Sequence, residues 1–82
     1  MRRIEVFGTG CPKCRAVVRN AEQAVAELGV EAEVVKVDDL AQMAVRGVMM
    51  TPALAIDGKL VAAGRVVPAT EIKNLLAGHG RS

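Results

Sequence analysis

The stretch GTGCPKC, residues 8–14, holds both cysteines of the chain, Cys11 and Cys14, directly after the apolar run Ile4 to Phe7. That spacing suits three chemistries. A thiol pair can exchange reversibly with disulfides, one sulfur attacking and the other releasing the mixed disulfide. The same two thiolates are soft ligands that favour Cu(I). Zinc asks for four protein ligands, or three and a water, whereas this chain offers two cysteines and one histidine, His79. A structural disulfide across so few residues closes too short a loop to restrict the unfolded chain much.

The elements that position this pair follow from the residues on either side. Ile4, Val6 and Phe7 form a short strand stopped by Gly8 and Gly10. Pro12 then suits the first position of a helix, where its missing N–H is no loss, so Cys11 sits at the helix opening. Cys14, Val17, Val18, Ala21, Val25 and Leu28 recur at three- and four-residue steps, an amphipathic stripe that ends at Gly29. EVVKV, 33–37, reads as a second strand. Asp38 or Asp39 caps a shorter helix over Leu40 to Arg46, closed by Gly47. TPALAID is a buried strand introduced by Pro52, and DGK at 57–59 turns the chain back into Leu60 to Ala63. Pro68 opens a last helix with Ile72, Leu75 and Leu76 on its apolar side, and 77–82 is expected to be a frayed tail. The order β-α-β-α-β-β-α, with a right-handed crossover first and a hairpin later, gives an α/β fold: a four-stranded mixed sheet with helices on both faces.

Composition narrows the setting. The 82 residues suffice for one domain, 1–82, whose core buries about 60% of the surface exposed by the unfolded chain. Hydrophobic residues make up 51% of the chain, which excludes a disordered tail. No apolar stretch approaches the roughly 20 residues of a membrane span. MRRIEVFG runs into a strand pattern rather than a secretory leader, so the cytoplasm is the expected compartment. Lasting disulfides are rare there, which turns the pair toward catalysis or metal binding. The net charge is only +2 and Phe7 is the sole aromatic, which leaves no basic stripe or stacking platform for nucleic acid. Arg2, Arg3, Lys13, Arg15 and Arg19 read as solvated surface around the cysteine end.

With CPKC between a first strand and first helix, and MTP before a third strand, the chain resembles the thioredoxin-like superfamily. It is most similar to the small glutaredoxin-sized thioredoxins of archaea and bacteria, from Arg3 to Leu76. The resemblance implies a cis-proline at Pro52 that faces the cysteines. Two features depart from the relatives. Thr9 and Gly10 stand where larger thioredoxins carry a tryptophan. AGRVVPAT replaces the glycine pair and acid with which glutaredoxins hold glutathione; Gly64 alone survives, which argues against glutathione as partner.

The roles that follow are expectations. Cys11, beside the amide-rich opening of the helix, is the nucleophile, its thiolate favoured by the dipole and helped by Lys13 and Arg15. Cys14, one turn deeper, is the resolving thiol. Pro12 and Lys13 tune the couple. Thr51 and Pro52 form the opposing wall, where the Thr51 backbone pairs with an extended substrate, and Met50 supplies an adaptable apolar rim with Met49. Larger thioredoxins use a buried acid to move the proton of the resolving thiol. Glu5, six residues before Cys11, is the candidate for that part, with a pKa raised by desolvation; the competing reading is a salt-bridged or exposed glutamate. Protein disulfides and an upstream disulfide reductase are the expected partners of a monomer, and the exchange calls for no cofactor or metal.

One alternative belongs to a different class. GTGCPKCRAVV is similar to the GMTCxxC loop of heavy-metal-associated domains, which use such a pair as a Cu(I) metallochaperone. Those domains follow the first helix with two strands and carry a methionine where Thr9 stands. Residues 40–46 therefore discriminate: helical for exchange, extended for metal transfer. A regulatory interaction module with incidental cysteines is the third reading, and it explains nothing more. Met43 fills core, and His79 is a residue of the exposed tail.

Overall fold

A computed structural model describes residues 2–10 and 12–78. The elements run β1 (Arg2–Phe7), α1 (Pro12–Leu28), β2 (Ala32–Val37), α2 (Leu40–Val45), β3 (Ala53–Ile56), β4 (Lys59–Ala63) and α3 (Ala69–Gly78). The strands form one sheet in the order β2-β1-β3-β4. β1 lies parallel to β2 and antiparallel to β3, and β3 is antiparallel to β4, so the sheet is mixed.

Because β1 and β3 are central and covered on both faces, residues Ile4 to Phe7 and Ala53 to Ile56 are all buried. Side-chain alternation then divides them between two cores. Ile4, Val6, Leu54 and Ile56 meet Val17, Ala21 and Ala24 of α1 and Ile72 and Leu76 of α3. On the opposite face Phe7, Ala53 and Ala55 meet Met43 of α2 and Val48. Asn20 Nδ2 donates to the Val67 carbonyl at 2.9 Å and ties α1 to the segment that leads into α3.

Several boundaries differ from the sequence expectation. β1 begins at Arg2, because its end is tied across the sheet: Arg3 N donates to Asp57 Oδ1 at 3.0 Å and Arg2 Nε to Asp57 Oδ2 at 2.7 Å. Asp57 and Gly58 both have positive φ, 53° and 85°, the backbone of a type I′ hairpin turn, and Lys59 already pairs with Ile56. Asp39 rather than Asp38 caps α2, its Oδ1 accepting from Ala41 N at 2.8 Å. Arg46 lies just past α2 at its C-cap. Pro68 stands before α3 and offers its carbonyl to Ile72 N at 3.1 Å. α3 runs through Gly78, two residues into the expected tail. His79 and the rest of that tail lie outside the described residues, as does Cys11. Among the described residues no helix is long and apolar enough to cross a membrane.

Candidate functional site

α1 opens at the C-terminal end of β1. Its first turn exposes Pro12, Lys13 and Arg15 and contains no acid. Cations at this end oppose the helix dipole, so the turn is arranged to suit an anion rather than the helix itself. Cys14 points the other way: it is buried, 5% exposed, on the stripe that continues through Val17, Ala21 and Ala24.

Gly8 is what lets Cys14 lie there. A Cβ built on Gly8 would fall onto Cys14 Sγ and 2.9 Å from Cys14 Cβ. The sulfur therefore rests on bare backbone, and the glycine is needed for close approach rather than for an unusual dihedral angle.

On the β3 side, the register that pairs Phe7 with Ala53 sets Pro52 level with Gly8. The Thr51–Pro52 peptide bond is cis. Pro52 is buried and Thr51 exposed. The Pro52 carbonyl accepts from Gly64 N at 2.8 Å, which extends the β3–β4 pairing past the strand ends. Met50 packs beside Gly64, its Sδ 3.3 Å and its Cε 3.0 Å from where a Cβ would stand. Met49 and Met50 are both exposed, at 89% and 61%.

On the β2 side a cavity of about 230 Å³ is lined by Cys14 together with Val6, Gly8, Val18, Arg15, Lys36 and Asp38. Gly8, the seat of Cys14, thus has two flanks, the cis Thr51–Pro52 segment and a charged cavity.

Glu5 is buried and ion-paired, not poised for a proton. Its oxygens accept from Arg46 Nη1 at 2.8 Å and Nη2 at 2.7 Å, and Arg3 Nε stands 3.6 Å away. The Arg46 hydrogen bonds, against the opposing effect of burial, hold its carboxyl below the usual glutamate range, so the raised pKa expected of it is not found. Alternation also puts Glu5 on the α2 face, with Phe7, whereas Cys14 lies on the α1 face, with Val6. Arg46 was missed in the sequence reading. The available signal was that an acid in a strand covered on both faces needs a buried cationic partner.

The β-α-β-α-β-β-α order, a CxxC motif at the first helix and a cis-proline before the third strand define the thioredoxin-like class. The segment 40–45 is helical, as that class has it and heavy-metal-associated domains do not. The sequence profile of the thioredoxin domain matches residues 2–77, and the chain belongs to that family. It is 42% identical over 77 residues to a thioredoxin of Methanothermobacter thermautotrophicus, covering 94% of this chain and all of that one. It is 43% identical over 76 residues to a thioredoxin of Methanocaldococcus jannaschii, covering 93% of this chain and 87% of that one. Membership places the chain among thiol–disulfide oxidoreductases.

Proposed function

We propose that the chain carries out reversible dithiol–disulfide exchange with protein substrates through Cys11 and Cys14. Cys11 acts as the thiolate that attacks a substrate disulfide. The substrate S–S bond breaks, one substrate sulfur leaves as thiolate, and a mixed disulfide with Cys11 forms. Cys14 then attacks the Cys11 sulfur, the mixed bond breaks toward the substrate, and a Cys11–Cys14 disulfide remains. Two electrons pass to the substrate, whose two sulfurs take up two protons. An upstream disulfide reductase returns the pair to the dithiol.

The observation that carries this reading is the seat of Cys14: buried on Gly8, one turn inside a helix that begins at Pro12, the successor of Cys11 in sequence. Such a thiol suits an internal attack and is shielded from outside reagents. Pro12 and Lys13 bias the couple from the first turn, and Thr51, Pro52 and Met50 receive an extended substrate strand. The protein acts as a cytoplasmic monomer, without cofactor or metal.

Insulin disulfide reduction with an artificial dithiol donor tests the assignment. Cys11→Ser is expected to abolish turnover, and Cys14→Ser to trap a mixed disulfide with substrate. A Cys11→Ser protein that reduces insulin at the wild-type rate would overturn it.

A further inference from the structure

The described methionines stand in two settings. Met43 is 4% exposed in the core beneath α2, where packing explains it. Met49 and Met50 are 89% and 61% exposed in the segment before the cis Thr51–Pro52 bond, where core packing does not. A thioether open to solvent is the group that peroxides convert to a sulfoxide, which is polar and chiral where the parent side chain was apolar and flexible. Access to an oxidant thus separates Met49 and Met50 from Met43.

Met50 also has a seat to lose. Its Cβ, Sδ and Cε lie 3.4, 3.3 and 3.0 Å from where a Cβ on Gly64 would stand, so the side chain covers the bare face of that glycine. Gly64 N in turn donates to the Pro52 carbonyl at 2.8 Å. Sulfur, glycine and proline are therefore one series of contacts at the edge of the cis-proline segment. An oxygen added to Sδ needs a hydrogen-bond donor, and Gly64 offers none, its N–H being engaged by Pro52. Residues 47–56 carry no charge, so the polarity of a sulfoxide is foreign to this rim. The oxidised side chain satisfies its oxygen by turning out to water, and Gly64 loses its cover.

We propose that Met50 is an oxidation-sensitive site: conversion of its thioether to the sulfoxide by hydrogen peroxide uncovers Gly64 and weakens the rim on which substrate docks. A lone pair of Sδ attacks one peroxide oxygen, the O–O bond breaks and an S–O bond forms. The hydroxide that leaves takes the proton of the transferred oxygen and becomes water. The thioether gives up two electrons and the peroxide gains them; sulfoxide reductases reverse the change. Met49 is open to the same reaction, but the side chain nearest Gly64 is that of Met50. The effect on turnover rests on the exchange reading above.

Graded hydrogen peroxide followed by peptide mapping tests the site, in a Cys11→Ser, Cys14→Ser protein so that no thiol consumes oxidant. Met49 and Met50 are expected to oxidise at several times the rate of Met43. The Gly64 amide resonance should shift as Met50 oxidises and should stay in place in Met50→Leu, where Met49 still reacts. Insulin reduction by the protein with both cysteines, recovered with dithiothreitol after peroxide, tests the consequence. Treatment should raise KM about fivefold, equivalent to about 1 kcal/mol at roughly 1.4 kcal/mol per decade, with kcat little changed. That treated-to-untreated difference should persist in Met49→Leu and vanish in Met50→Leu. A Met50 that oxidises no faster than Met43, a Gly64 amide indifferent to its oxidation, or a KM effect that survives Met50→Leu would overturn the proposal. Mapping and resonance need no disulfide substrate. With both as expected, failure of untreated protein to reduce insulin would defeat the exchange reading alone.

Discussion

Glu5 and Arg46 meet in a two-pronged ion pair, 2.8 Å and 2.7 Å long, with the guanidinium carbon of Arg46 also 5.3 Å from the centre of the Phe7 ring. The pair sits where β1 is covered by α2, and the cross-strand neighbour of Glu5 on β3 is the small Ala55. A planar fork that bonds a carboxylate and also lies on an aromatic face is what arginine supplies and lysine does not.

Removing Arg46 leaves Glu5 buried with only the longer Arg3 contact. Arg46→Ala is therefore expected to destabilise the fold near neutral pH, because it leaves the Glu5 carboxylate covered without its two-pronged partner, although the guanidinium itself is partly exposed and the loss is screened accordingly. The sign of the pH dependence follows from Glu5. Its native pKa is lowered, so in the wild type its stabilising contribution is present above the unfolded value of about 4.3 and is lost as pH falls through the native value. In the variant, burial raises that pKa instead, and protonation relieves the orphaned charge. The deficit should shrink on acidification toward about pH 4. Urea unfolding at a series of pH values checks this, and a deficit that stays constant with pH would contradict it.

Gly8→Ala places a methyl group where Cys14 Sγ now lies. Backbone atoms on one side and a buried helix on the other cannot both retreat, so a loss of about 2 kcal/mol is expected, typical of overpacking a filled core. Denaturant unfolding gives the stability. Shortening the partner, as in Gly8→Ala with Cys14→Ser, should recover part of the loss, since a hydroxyl is smaller than a thiol; no recovery would mean that the clash lies elsewhere.

Gly64 stands at φ 80° with the Met50 thioether in front of it. Gly64→Ala combines a left-handed backbone with a displaced side chain and is expected to cost about 1–2 kcal/mol. Met50→Ala in the same protein should recover only the contact part. A double-mutant cycle read by thermal unfolding separates the two, and full additivity would show that Met50 does not press on Gly64.

Much of this was legible in the sequence because it is written locally. CPKC, the stripe from Cys14 to Leu28 and the DGK turn each carry their own period or turn chemistry, and together they set the element order. The cis bond at Thr51–Pro52 followed from family resemblance. What was not legible depends on pairings between distant segments. Glu5 could have been exposed, salt-bridged or poised for a proton. The choice was made by Arg46, whose side chain is aimed by a helix end 41 residues away. Gly8 looked like a strand terminator, and its contact with Cys14 appears only when β1 and α1 are packed. Lys36 lies within the expected second strand and Asp38 is one of the two candidate helix caps, and nothing in EVVKVDD reveals which face meets Cys14.

The last link in the Glu5 pair is its carrier. α2 has only six residues, too short to be stable without help, and its N-terminal amides are held by Asp39, whose Oδ1 accepts from Ala41 N at 2.8 Å and Gln42 N at 3.4 Å. At the other end of the helix the Arg46 amide bonds the Gln42 carbonyl at 2.9 Å, so the cap, the single complete turn and the guanidinium form one chain of contacts. Asp39→Ala is expected to cost about 1 kcal/mol through the lost cap. Because loosening α2 also loosens Arg46, the cost should be smaller in a Glu5→Gln background, where the carboxylate no longer needs its partner. Amide hydrogen exchange of residues 43–48 in the two backgrounds, beside the unfolding free energies, checks the coupling. Equal losses in both would mean that the cap and the ion pair act independently.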